Sequence, residues 1–191
     1  MKWFDYESPR TLGEALSAYA AHSGARLLAG GTDLLVQMRA GRKETDLVID
    51  IKRIPELNEV SYSETGGLVL GAAVPCIDLQ TNPLVRKHYP ALAELAGIIG
   101  GTPIQGRASL GGNVCNSSPS ADSTPLLIAM GAQCRIASAS GERTVPVEQF
   151  CTAPGKNVLA PGELLVSFLV PAKGPRTGSS YLRFIPRNEM D

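Results

Sequence analysis

The chain has 191 residues, 43% of them hydrophobic and 19% charged, and its 18 basic residues are balanced by 18 acidic ones. Such a composition is globular rather than disordered, and its zero net charge offers no footing for a nucleic acid or an anionic membrane. No apolar run is long enough to span a bilayer, and the mixed, aromatic opening Met1-Lys2-Trp3-Phe4-Asp5-Tyr6 is not a signal peptide, so the expected location is cytoplasmic.

The first part of the chain reads as strand, helix, strand, loop, helix, strand. Thr11 and Glu14 have the spacing of a capping box, and Leu12, Ala15, Leu16, Tyr19 and Ala20 then share one helical face until Ser23-Gly24 stops it. Residues 26–28 form a short strand leading to a glycine pair, and Leu34, Leu35 and Met38 are the apolar stripe of a brief helix beyond it. Leu47-Val48-Ile49-Asp50-Ile51 is a compact apolar run suited to a buried strand. This lobe closes near Lys52.

A second lobe follows. Residues 60–63 and 68–72 read as a hairpin turning through Gly66-Gly67, and 75–80 and 90–99 as helices, with Pro83 and Pro90 as breaks. Leu92, Leu95, Ala96 and Ile99 fall at helical spacing and are expected in the core. After a second glycine pair, 123–130 reads as a helix, 134–137 and 143–146 as strands turning around Ser140-Gly141, and 164–170 as a strand ending at Pro171. Lys173-Gly174-Pro175-Arg176-Thr177-Gly178 is a linker by composition, and 180–185 reads as another strand. The expected organisation is a lobe over 1–52, a lobe over 53–171 and a linker segment over 172–191, in the α+β class.

Protein-borne chemistry finds little support. Cys76, Cys115, Cys134 and Cys151 form no C-x-x-C pair and read as reduced thiols, with Cys115 beside the second glycine pair but not a nucleophile. His22 closes a helix and His88 sits in the polar stretch Val85-Arg86-Lys87-His88-Tyr89, and neither has the company that a triad or a metal site requires. No G-x-S-x-G elbow is present. The expectation is therefore no catalytic residue and no metal on this chain.

The glycine pairs themselves point to a ligand. One lies in Leu28-Ala29-Gly30-Gly31-Thr32-Asp33, the other in Ser109-Leu110-Gly111-Gly112-Asn113. Without a Cβ, backbone amides can approach a phosphate closely, and a helix beginning just beyond adds partial positive charge. One such pair is ordinary turn chemistry, but two could hold a pyrophosphate between them, which points to a dinucleotide such as FAD. The chain carries neither the G-x-G-x-x-G Rossmann fingerprint nor a P-loop. Thr32 and Asn113 can add side-chain hydrogen bonds, and Asp33 reads as the cap of the helix at Leu34 with its carboxylate turned away from a diphosphate.

The wording of both segments, Leu28-Ala29-Gly30-Gly31-Thr32-Asp33-Leu34-Leu35 with Gln37-Met38-Arg39, and Ser109-Leu110-Gly111-Gly112-Asn113 running on to Asp122, resembles the FAD loops of the molybdenum hydroxylase flavoproteins. These are the medium subunits of enzymes of the carbon monoxide dehydrogenase and xanthine dehydrogenase type. The resemblance covers essentially the whole chain and implies the two-lobed PCMH/vanillyl-alcohol oxidase-type fold, with FAD between the lobes. It implies that Asp122 contacts the ribose or adenine side of FAD, and that Ile99 and Leu165 match apolar positions of the site. Read from the residues alone, Asp122 is a helix cap and Ile99 helix core.

Arg183 falls where relatives often have lysine near the flavin ring, which keeps the charge but changes the geometry. The resemblance further implies a small partner with two [2Fe-2S] clusters, a large molybdopterin partner, a dimer of heterotrimers, and electron transfer through FAD to NAD⁺ or another acceptor. In the family a C-terminal domain begins in this last segment, with 187–191 resembling its opening helix, so the chain is expected to be C-terminally truncated. Two other functions remain open: a stand-alone flavin reductase on the same fold, such as the UDP-N-acetylenolpyruvoylglucosamine reductases, and a scaffold subunit that binds no flavin.

Overall fold

A computed structural model describes residues 2–184. In the first part, β1 (Asp5–Glu7), α1 (Leu12–Ala21), β2 (Arg26–Leu28), α2 (Leu34–Arg39) and β3 (Leu47–Asp50) follow one another. The strands form a parallel sheet in the order β1-β3-β2, with Asp5 opposite Leu47 and Leu27 opposite Ile49. The capping box forms: Thr11 Oγ1 accepts from the Glu14 amide at 3.2 Å, and Glu14 Oε2 accepts from the amides of Thr11 and Arg10. The buried face of α1 is Ala15 and Leu16, flanked by Leu12, Ala18 and Tyr19. Ala20, expected on that face, is exposed.

One turn of 3-10 helix (Pro55–Leu57) leads to the hairpin β4 (Val60–Ser63) and β5 (Gly67–Gly71), and then to α3 (Cys76–Thr81), α4 (Pro83–His88), α5 (Pro90–Ile98) and α6 (Thr102–Gln105). Pro83, expected as a break, opens α4. Asn82 Oδ1 accepts from the amides of Leu84 and Val85, and proline suits the first helical position because its missing N–H has no partner there anyway. The polar stretch around His88 is the end of that helix, with the imidazole stacked on Tyr62 at 3.8 Å between ring centres.

The chain continues through α7 (Leu110–Asn116), α8 (Ser123–Ala129), β6 (Gln133–Ser138), β7 (Gly141–Pro146), α9 (Val147–Phe150), the short hairpin β8 (Cys151–Ala153) and β9 (Lys156–Asn157), and β10 (Leu164–Val170). The larger sheet has the order β4-β5-β10-β6-β7, antiparallel throughout. Residues 171–184 are irregular, and the strand expected from 180 does not form. A strand needs a paired neighbour, and among the described residues none runs beside this segment; Tyr181 instead packs on the larger core. Ile185 and the helix expected at 187–191 lie outside the described residues.

Two cores meet at β10. The larger gathers Leu92, Leu95, Phe150 and Phe168 with α3, α5, α7 and α8 on one face of the large sheet. The smaller joins Ala15, Leu16 and Ile49 of the first part to Ala137, Leu164 and Val166 on the opposite face. A bulge between Leu165 and Ser167 shifts the alternation, so that Leu165, Phe168 and Val170 face the larger core while Leu164 and Val166 face the smaller.

Candidate cofactor site

Strand β2 carries the chain into the first glycine segment, with Leu28 anchored against Met38 and Val48. Gly30 is pressed against the turn before α7, where a Cβ would stand 2.4 Å from the Arg107 carbonyl oxygen and 3.0 Å from the Ala108 Cα. Gly31 has φ +80, which strains any residue with a Cβ. Among the described residues no acceptor meets the amides of residues 30–33. Gly31 O already accepts from the Leu35 amide at 3.0 Å, so the helical turn begins there.

That early start corrects the expectation for Asp33. Its backbone is already helical (φ −95, ψ −47) and its side chain caps nothing, because a capping carboxylate needs an extended backbone to fold back onto the first turn.

The second segment is not a loop but the first turn of α7. Ser109 is an extended N-cap whose Oγ accepts from the Gly112 amide at 3.2 Å. The Gly111 amide donates to Ala72 O and the Asn113 amide to Ser109 O, so these amides are already paired. Gly111 sits against β5's end, where a Cβ would be 2.3 Å from Ala72 O; one on Gly112 would meet only Ser109 Oγ, at 3.3 Å. Asn113 Oδ1 accepts from the amide and hydroxyl of Ser123, leaving its side-chain NH₂ as the available donor. With 6 and 7 residues, α2 and α7 are too short for large macrodipoles, so individual donors carry the electrostatics.

Contacts join the two segments. Arg107 Nε donates to Gly30 O and its Nη2 to Ala29 O, each at 3.3 Å. Gln37 Nε2 donates to Asn116 Oδ1 at 2.9 Å, while Gln37 Oε1 is buried without a partner among the described residues. Lys52 Nζ donates to Arg107 O at 3.0 Å and to Ala73 O. Burial, with the Arg107 charge adding to it, pushes the Lys52 amine down to about 8. Lys52 and Arg107 carry no sequence motif. Only a glycine with no room for a Cβ, Gly30, hints that another part of the chain lies against it.

Other expected site residues lie elsewhere in the fold. Ile99 and Leu165 are in the larger core, 9% and 4% exposed. Asp122 precedes α8 in a helical conformation without capping it. Its Oδ1 accepts from Tyr181 OH at 3.0 Å and lies 3.7 Å from Arg183 Nε. Two residues that the resemblance assigns to different ends of FAD are thus neighbours. Thr32 is half-buried at the first segment. All four cysteines are free thiols, and burial pushes Cys115 up to about 12, which removes any nucleophilic character at ordinary pH. Among the described residues, no group of side chains is arranged to hold a metal ion, and no helix is long and apolar enough to cross a membrane.

A family model, FAD binding domain in molybdopterin dehydrogenase, matches residues 2–173. The chain belongs to this family. The domain is 37% identical over 188 residues to the xanthine dehydrogenase FAD-binding subunit of Escherichia coli O157:H7, a match covering 97% of this chain and 64% of that protein. It is 35% identical over 179 residues to the carbon monoxide dehydrogenase medium chain of Hydrogenophaga pseudoflava, covering 93% and 62%. It also superposes, with a TM-score of 0.86 and 34% identity, on a solved carbon monoxide dehydrogenase from that organism lacking the Mo-pyranopterin moiety, over 91% of this chain and 61% of that one. The chain therefore spans less than two thirds of the length of these relatives, and the two-lobed PCMH-type fold is theirs as well.

The residues present fit the diphosphate of FAD. Consecutive amides at residues 30–33 have no acceptor among the described residues and are available to an anion, and the space over Gly112 is one that a side chain would fill. Two cations, Lys52 and Arg107, stand behind those amides.

Proposed function

We propose that this chain is the FAD-holding part of a molybdenum hydroxylase, an oxidoreductase subunit working beside a small iron–sulfur partner and a large molybdopterin partner. Bound FAD supplies the redox chemistry, exchanging electrons between [2Fe-2S] centres on the small partner and NAD⁺ or another acceptor, while substrate is oxidised at the molybdenum of the large one. The protein's part is to bind and orient. The amides of residues 29–33 cradle the diphosphate, joined by Thr32 Oγ1 and the Asn113 side-chain NH₂, and the bare face of Gly112 lets the ligand approach. Asp122, held by Tyr181, is an acceptor for ribose hydroxyls.

The observation that carries this reading is the meeting of the two glycine segments at Gly30 and Arg107, with the first segment's amides unpaired. Its test is a visible spectrum of the purified chain with added FAD, with the bound flavin released and identified, followed by a pull-down from the source cells. Retained FAD with copurifying iron–sulfur and molybdenum polypeptides is the expected result. A protein that ignores FAD, or holds it and brings down neither partner, refutes the corresponding half of the proposal.

A further inference from the structure

The side chain of Arg107 crosses from the second segment to the first and grips two consecutive carbonyls, Ala29 O and Gly30 O. Peptide units are planar and trans, so a carbonyl turned one way turns the next residue's N–H the opposite way. Holding Ala29 O fixes the Gly30 amide, and holding Gly30 O fixes the Gly31 amide. Both amides are then aimed away from Arg107, and both lack an acceptor among the described residues. Arg107 is held in turn by its own carbonyl, which accepts from Lys52, and Lys52 is tied to Ala73.

The pairing is electrostatically costly. Burial and the repulsion of the Arg107 charge both work against the Lys52 ammonium, and the other charged or titratable groups facing it are Asp50 of β3 and Cys76 and Asp78 of α3. An anion in the cradle relieves that repulsion. We propose that Arg107, braced by Lys52, is the positioning residue that aims the first segment's amides at a diphosphate and supplies positive charge behind them. This rests on the FAD reading above and adds a role for two residues outside the glycine segments.

The test compares FAD, ADP and riboflavin binding to the chain and to Arg107→Met, Arg107→Lys and Lys52→Met, with melting curves in the absence of ligand. Arg107→Met should weaken FAD and ADP by about tenfold or more, the scale of losing charge-assisted hydrogen bonds, and leave riboflavin, which has no phosphate, unchanged. Arg107→Lys, which keeps the charge without the fork, should recover part of the loss.

The pH dependence supplies a second readout. Lys52 titrates near 8, and a bound anion favours its charged form, so ADP affinity should fall as pH rises through that value. In Lys52→Met the fall should disappear. Unchanged FAD and ADP affinity in Arg107→Met, or a riboflavin loss in the same proportion, overturns the positioning role while the FAD reading stands. A wild-type chain that binds neither FAD nor ADP overturns both.

Discussion

The two glycine segments share a wording and use it for different physics. In the first, the pair shapes a turn: Gly30 lets another part of the backbone lie against it, and Gly31 supplies a conformation that L-residues avoid. In the second, the pair sits inside a helix, where Gly111 lets α7 touch the end of β5 and Gly112 leaves a face open. A phosphate-binding reading of Gly-Gly thus covers only part of what the glycines do. Two of the four are required by packing before any ligand is considered.

Substitutions separate these roles. The largest effect is expected for Gly111→Ala, whose Cβ would stand 2.3 Å from Ala72 O; a loss of about 3 kcal/mol, at the upper end for overpacking, should appear in urea unfolding. Wild-type stability in this variant would mean that α7 and β5 can move apart freely. Gly31→Ala should cost about 1–2 kcal/mol through its positive φ, measured in the same way. Gly112→Ala should change stability by less than about 1 kcal/mol, whereas Gly112→Leu should lose flavin while melting like the flavin-free wild type. Retention of flavin by Gly112→Leu would remove the second segment from the cradle and leave the first to act alone.

The smallest expected effect is a pH dependence. Lys52 titrates near 8 in the fold, below its ordinary 10.5, so between these values the unfolded chain binds the extra proton and this amine makes the fold more stable as pH rises. The raised thiols Cys76, Cys115 and Cys134 act in the opposite direction at higher pH, because they ionise first in the unfolded chain. Subtracting the stability curve of Lys52→Met from that of wild type isolates the amine. The difference should shift in favour of wild type as pH climbs through 8, and a flat difference would show that Lys52 is not held with a depressed affinity for its proton.

What could be read from the sequence was local. The capping box of Thr11 and Glu14, the α5 face of Leu92, Leu95 and Ala96, and the hairpins lie within a few residues of their own signals. Pro83 does end the helical run after α3, but Asn82-Pro83 is as much a helix start as a stop, so α4 was missed. Asp33 went wrong because a cap is decided by backbone conformation, which residue type alone does not reveal. The strand expected from 180 had a suitable composition and no neighbour to pair with. Arg107 and Lys52 were invisible for a related reason: they act across 78 and 55 positions of chain, and such contacts leave no spacing to detect.

The bulged strand β10 ties the fate of the first lobe to the last described strand. Ala15, Leu16 and Ile49 complete their core against Leu164 and Val166, which lie more than a hundred positions later in the sequence. On a ribosome the N-terminal sheet and its helices must therefore wait, with apolar faces uncovered, until β10 has emerged. Native structure in both lobes should arrive in one late, cooperative step governed by long-range pairing, the slow regime for folding. A fragment ending before residue 164 leaves both cores open.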